Sequence, residues 1–266
     1  MGSAAVAMSL DLSASDQRSS PRIFMSDINE ELVNAYEVLK RQPGQLIRRL
    51  KTLEDDISER RYYEVREKSE RTELGRAARL IYLNRTCFNG LYRENSSGKF
   101  NVPYGKLANP TVCNEPLLLA VSRWLSFVHI SQGSFRAGVS KAKKGDLVYF
   151  DPPYLPLSTT SSFSQYSASD FGIDDHRELA DLIAKLTKRG VRVILSNSDS
   201  KVTRQIYENC GLNLRSIRVH RNISASSASR VTVRELIGIS YELADCADPV
   251  AAKKFSRAIY CGITKS

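Results

Sequence analysis

At 266 residues the chain is long enough for one large domain or two modest ones with a substantial core. Lys and Arg outnumber Asp and Glu by 39 to 29, a net charge of +10 with a pI near 9.4, which favours a polyanionic partner over an acidic or neutral one. No apolar run approaches the roughly 20 residues of a membrane span, and the start MGSAAVAMSLDLSASD has neither the basic leader nor the apolar core of a secretory signal, so a cytoplasmic protein with no membrane partner is expected.

Arg22–Asp27, RIFMSD, reads as a short buried strand, and Asn29 as the N-cap of a helix in EELVNAYEVLK. Residues from about 62 to 86 form a charged helical region. Asn84–Gly105 carries turn signals at Asn89-Gly90 and Ser97-Gly98 between apolar and basic residues, which fits a hairpin as well as a plain surface excursion. Gly145–Phe150 is a second strand. The Ser-rich residues 156–169 have linker composition, although Phe163 and Tyr166, with Phe171 beyond, are too apolar for a pure spacer. Leu179, Leu182, Ile183 and Leu186 follow helical spacing toward Gly190, which stands where a helix C-cap belongs. Val191–Ser196 is a third strand, residues near 200–209 another helix, and Leu212–Val219 and Val233–Leu243 further strands. The alternation of strand and helix implies a mainly parallel α/β sheet.

In such sheets ligands bind beyond the carboxyl ends of strands, where the sequence puts Asp151-Pro152-Pro153-Tyr154. The two prolines stiffen the backbone and keep it out of a helix. An acid acceptor, a neighbouring carbonyl and an aromatic face together suit a planar group bearing an amine. An ordinary strand exit with a proline stop explains DPP alone equally well. Asp27, ending the first strand, is either a ligand acid or a helix N-terminal acid favoured by the macrodipole. The five cysteines (Cys87, Cys113, Cys210, Cys246, Cys261) are never spaced CxxC, and His129, His176 and His220 are isolated, so neither a disulfide framework nor a metal site is expected. Arg215, Arg218, Arg221, Arg230 and Arg234 can contact phosphates, though each taken singly reads as a solvated charge.

Asp151–Tyr154 resembles the [DNS]PP[YFW] signature of methyltransferases that use S-adenosylmethionine to methylate exocyclic amines, in the DPPY form typical of DNA adenine enzymes. Around it, NRTCFNGLYRENSSGKFNVPYG, VRVILSNSDS and RNISASSASRVTVREL are similar to segments of the Dam-type DNA adenine methyltransferases, in that family's order, and the likeness runs from about residue 22 to about residue 243.

The resemblance implies an α/β, Rossmann-like methyltransferase sheet formed by residues 1–55 and 145–245, a target-recognition region inserted at 56–144, and a tail at 246–266. It implies S-adenosyl-L-methionine as cofactor, held by Gly2, Ser3, Asp27, Ile28 and Asp151, and a catalytic set of Asp151, Pro152, Pro153 and Tyr154. In that set the Asp151 carboxylate and the Pro152 carbonyl accept the two hydrogens of adenine N6, which frees the nitrogen lone pair for the methyl, while Tyr154 stacks on a base flipped out of the duplex. DNA contacts fall to Arg85, Phe88, Asn89, Leu91, Arg93, Lys99 and Pro103 within a GATC site, with Arg93 bidentate to a guanine and Leu91 and Pro103 against a thymine methyl. Double-stranded DNA is the expected partner of a monomer or weak dimer, with a cognate restriction enzyme as a further candidate, in a bacterial or phage-encoded, nucleoid-associated protein.

The family also carries, ahead of the strand ending in Asp27, a glycine-rich loop of the type DPFxGxG and an earlier segment with GGK. Here Gly2-Ser3-Ala4-Ala5-Val6 resembles the tail of that loop. The first strand and part of the cofactor loop are therefore expected to be missing from mid-sheet, leaving two neighbours with unpaired amides, and AAKKFSRAIYCGITKS offers no replacement glycine-rich motif. Two readings follow: a working site-specific adenine methyltransferase, and a truncated, inactive remnant that binds DNA through its basic face.

Overall fold

The computed structural model describes residues 5–9, 22–95, 97–155, 171–220, 232–242 and 258–263. Helix α1 (Ala5–Met8) precedes strand β1 (Arg22–Asp27), and α2 (Glu30–Arg41), α3 (Pro43–Glu54), α4 (Glu59–Glu67), α5 (Glu73–Thr86) and α6 (Glu115–Leu125) follow. Then come β2 (Val128–Gln132), α7 (Phe135–Gly138), β3 (Leu147–Asp151), α8 (Ile173–Lys188), β4 (Arg192–Ser198), α9 (Lys201–Tyr207), β5 (Asn213–His220), β6 (Thr232–Ile239) and β7 (Ala258–Ile263).

The chain divides into two compact units, residues 1–28 with 131–266, and residues 29–130. Those bounds differ from the expected 1–55, 145–245 and 56–144. Helices α2 and α3 pack with α5 and α6 in the second unit, so their apolar faces are spent there, and residues 131–144 fall in the first unit.

The sheet has seven strands in the order β2-β1-β7-β3-β4-β6-β5. Its centre is parallel, β1 with β7, β7 with β3 and β3 with β4, while β6 runs antiparallel to both β4 and β5. The result is a mixed sheet, because the chain turns back from β5 and lays β6 between β5 and β4. Residues 246–266, expected as a tail, contain β7, and the slot expected to be empty is filled by it. Pairing runs from Arg22↔Ala258 to Asp27↔Ile263 on one side and from Leu147↔Ile259 to Asp151↔Ile263 on the other. The amides of β1 and β3 that face this slot thereby gain partners.

Local chemistry explains the elements around the sheet. Asn29 caps α2, its side chain accepting from Leu32 N at 3.1 Å. Along α8 the buried His176, Leu179, Ala180, Ile183 and Leu186 form one helical stripe. Gly190 then takes φ +76°, with Val191 N bonded to Leu186 O and Gly190 N to Thr187 O, a Schellman ending that only a left-handed residue allows. Strand β4 begins two residues later. The stripe packs with Val148 and Phe150 of β3, Val193 and Leu195 of β4, and Tyr207 at the end of α9. Each such fully buried apolar side chain contributes about 1.5–3 kcal/mol. His176, isolated in the sequence, is a core histidine: it is fully buried, its Nδ1 lies 2.7 Å from Tyr207 Oη, and its ring meets Phe171 edge-on.

Candidate active site and nucleic-acid interface

Strand β3 delivers Asp151 to the carboxyl end of the sheet, and the backbone is described on through Leu155. Ser196, one step past the Phe150↔Leu195 pair on β4, stands beside it and donates from Oγ to Asp151 Oδ1 at 2.7 Å. Tyr149 Oη completes the relay at 3.0 Å from the same hydroxyl. Burial raises the Asp151 carboxyl above the usual carboxylate range, and the Ser196 hydrogen bond opposes that rise by favouring the charged form.

The residues after Asp151 are pinned to β4 as well. Leu155 N donates to Asn197 Oδ1 at 3.1 Å, and Ser198 Oγ donates to Leu155 O at 2.5 Å. Between these two anchors run Pro152, buried, and Pro153 and Tyr154, each partly exposed. Tyr154 Oη reaches Glu235 Oε2 of β6 at 3.4 Å, and burial pushes the phenol well up. The stiffness expected of two prolines is thus reinforced at both ends by hydrogen bonds. The sequence reading singled out none of Ser196, Asn197, Ser198 and Glu235. The signal available was a run of polar residues at the end of an apolar strand, and all three β4 residues are indeed buried.

Asp27 closes β1 and is buried, while the next residue, Ile28, leaves 52% of its surface open. Asp27 and Asp151 are both in register with Ile263, so they stand on the same row and the same face of the sheet, two strand spacings or about 10 Å apart. A buried acid beside an exposed apolar side chain at a strand's carboxyl end suits a nucleoside, with the carboxylate for ribose hydroxyls and the apolar surface for a base. Gly2 and Ser3 lie outside the described residues. No cluster of His, Cys, Asp or Glu able to hold a metal occurs among the described residues.

In the second unit, Asn84–Gly105 folds back on itself as expected, with antiparallel bridges Cys87↔Tyr104 and Glu94↔Phe100. The Asn89-Gly90 signal is realised as two consecutive positive φ values, +54° and +61°. Phe88 N donates to Pro103 O, and Gly105 N to Thr86 O. Gly105 is needed at this crossing, since a Cβ there would stand 2.4 Å from Cys87 O. Beneath, Tyr62 Oη donates to Val102 O at 2.7 Å, and Phe100 and Val102 are buried. Above, Arg85, Phe88, Asn89, Leu91, Arg93, Lys99 and Pro103 are all exposed. Arg93 is steadied by Asn101, Nε to Oδ1 at 2.7 Å, and Arg85 Nε donates to Thr111 O at 2.8 Å.

A second basic feature lies on the sheet. Arg215 and Arg218 of β5 and Arg234 of β6 are exposed, and Arg218 faces Arg234 directly across the ladder. Like charges so placed repel, and a polyanion relieves them. Arg221 and Arg230 lie outside the described residues.

A family model for the D12 class of N6 adenine-specific DNA methyltransferases matches residues 1–223. The chain is 38% identical over 225 residues to the type II methyltransferase M1.LlaDCHI of Lactococcus lactis subsp. cremoris, covering 82% of this chain and 78% of that one. It is 39% identical over 234 residues to the type II methyltransferase M.MjaIII of Methanocaldococcus jannaschii, covering 83% and 80%. To the DNA adenine methylase of Escherichia coli K12 it is 31% identical over 224 residues, covering 82% and 79%. With a mixed α/β sheet that ends in DPPY and a match across most of its length, the chain belongs to the D12 class of N6 adenine-specific DNA methyltransferases.

Proposed function

We propose that the chain transfers a methyl group from S-adenosylmethionine to the N6 amine of adenine in duplex DNA, within GATC, on a base turned out of the helix. The observation that carries this reading is the Asp151 carboxylate. It is fixed at the end of β3 and largely desolvated, and among the described residues only Ser196 donates to it, on Oδ1. An amine hydrogen fits the second oxygen.

The Pro152 carbonyl supplies the other acceptor, and two acceptors together draw the nitrogen lone pair out of conjugation with the purine ring. The cofactor supplies an electrophilic sulfonium methyl. Asp27 and Ile28 suit its ribose and its adenine, and Gly2 and Ser3 are proposed to join them. Positioning and electrostatics then account for the rate, with no covalent enzyme intermediate. Tyr154, its phenol tied to Glu235, presents an aromatic face to the flipped base. Extruding that base costs a few kcal/mol, which stacking and the two hydrogen bonds offset.

In the second unit the proposed contacts are Arg93 to a guanine, Leu91 and Pro103 to a thymine methyl, and Arg85, Asn89 and Lys99 to phosphates or bases, while Phe88, 39% exposed, wedges into the stack. The setting proposed is the cytoplasm, at the nucleoid, with the chain a monomer or weak dimer. The type II names of two relatives make a cognate restriction enzyme the protein partner to look for.

The test is incubation with methyl-labelled cofactor and two duplexes that differ only in GATC against GTTC. Label is expected in the first duplex alone and lost in Asp151→Ala. Salt-sensitive DNA binding with no label in either duplex would establish the inactive remnant instead.

A further inference from the structure

From β1 the chain leaves for the second unit and returns as β2 on one side of the sheet. From β3 it crosses through α8 to β4 on the other side. The strand order therefore reverses between β1 and β3, and the crevice beyond the carboxyl ends of strands at such a switch point is where open α/β sheets bind their ligands. Strand β7 stands in that slot, parallel to both neighbours.

We propose that β7 is the strand on which the cofactor site is built, with its carboxyl end at Ile263 forming the floor of the S-adenosylmethionine site between Asp27 and Asp151, an inference that rests on the methyltransferase reading above. The register carries it. Ile263 pairs with Asp27 on one side and with Asp151 on the other, and Gly262 pairs with Ser26 and Phe150. Gly262 lies on the row of Ser26 and Phe150, which is the other face of the sheet, so Ile263 is the β7 residue that shares the row of the two acids. The strand also sets the spacing of the two acids. If β7 were absent, β1 and β3 would have to move together to pair, and Asp27 would come to within one strand spacing, about 4.8 Å, of Asp151. That collapse removes the room a nucleoside needs between the acid proposed for its ribose and the acid proposed for the target amine. A segment far from β1 in sequence thus takes part in the site as much as either acid.

The experiment compares the full chain with a chain ending at residue 250, each with and without a synthetic peptide of residues 254–266, and adds Cys261→Pro in the full chain, which removes a ladder amide from a central strand. Two quantities are read: amide exchange at residues 23–27 and 148–151, and S-adenosylmethionine affinity by calorimetry. The expected result is loss of protection at both strands and loss of cofactor binding in the shortened chain, restoration of both by the peptide, and the same losses in Cys261→Pro. Equal protection and equal cofactor affinity in the full and shortened chains would overturn the inference and leave the methyltransferase reading standing. No cofactor binding by the full chain would overturn both together, and the exchange pattern would then serve only to locate β7.

Discussion

His176 offers a quantitative test of how the core beneath the DPPY segment is held. Its imidazole is fully buried against Tyr207 and Phe171, and burial lowers its pKa from 6.5 to about 4, with the Pro153 carbonyl pulling weakly the other way. The neutral form is therefore favoured by the fold. As pH falls below 6.5 the unfolded chain takes up a proton at this site while the folded chain does not, so stability is lost between pH 6.5 and about 4 and is constant below. With those two values the linkage relation gives a loss of about 2.5 kcal/mol between pH 7 and pH 4.5. Carboxylates titrate in the same window, so the informative quantity is a difference between two proteins. His176→Gln keeps a polar partner for Tyr207 Oη but does not titrate. Urea unfolding of both, followed by far-ultraviolet circular dichroism across this range, should show the parent losing about 2.5 kcal/mol more than the variant. Parallel curves for the two proteins would refute the reasoning, whatever the offset between them.

Three further outcomes are expected. Ser196→Ala removes the donor on Asp151, a hydrogen bond to a charged group worth about 1.5–3 kcal/mol, so kcat/KM for methyl transfer should fall about 10- to 100-fold. Because that bond opposes the rise caused by burial, the acid limb of the pH–rate profile should also move to higher pH, and an unmoved limb would sink the assignment of Asp151 as the working carboxylate. Gly105→Ala puts a Cβ 2.4 Å from the Cys87 carbonyl, so the hairpin must shift off α5; a stability loss of about 1–3 kcal/mol with weakened DNA binding is expected, and a variant of parental stability and affinity would count against that close crossing. Arg93→Ala should cost about 1–3 kcal/mol on the cognate duplex and relax discrimination at one base position, whereas uniform weakening across sequences would reassign Arg93 to a phosphate.

Much of the local architecture is legible in the sequence because its causes are local. Asn29 as a cap, Gly190 as a left-handed helix ending and Asn89-Gly90 as a tight turn each depend on a few neighbouring residues, and each takes the expected place. Helices α3 and α6 have no counterpart in the elements expected from the sequence; each carries a proline, Pro43 or Pro116, in its first turn, where proline is well suited. The DPPY segment is visible from its own four residues. Its supports are not, because Ser196, Asn197 and Ser198 reach it only through the β3–β4 pairing, and Glu235 through β6. The apolar run AIYCGI, expected within a tail at 246–266, is a strand whose place is set by the edges of β1 and β3 that need partners, which its own residues do not reveal.

The ladder that joins Arg22 to Ala258 also sets an order of events during synthesis. At about 5–20 residues per second, β1 waits on the order of tens of seconds before its neighbour emerges from the ribosome. Residues 29–130 are contiguous and form their own compact unit, so the hairpin with Arg93 can fold while the sheet is still open. During that interval β1 and β3 present unpaired edges, which makes the nascent chain dependent on whatever shields them. The pairing of β1 and β3 through β7, by contrast, is complete only once residues 258–263 have emerged, so the centre of the sheet is the last part of it to close.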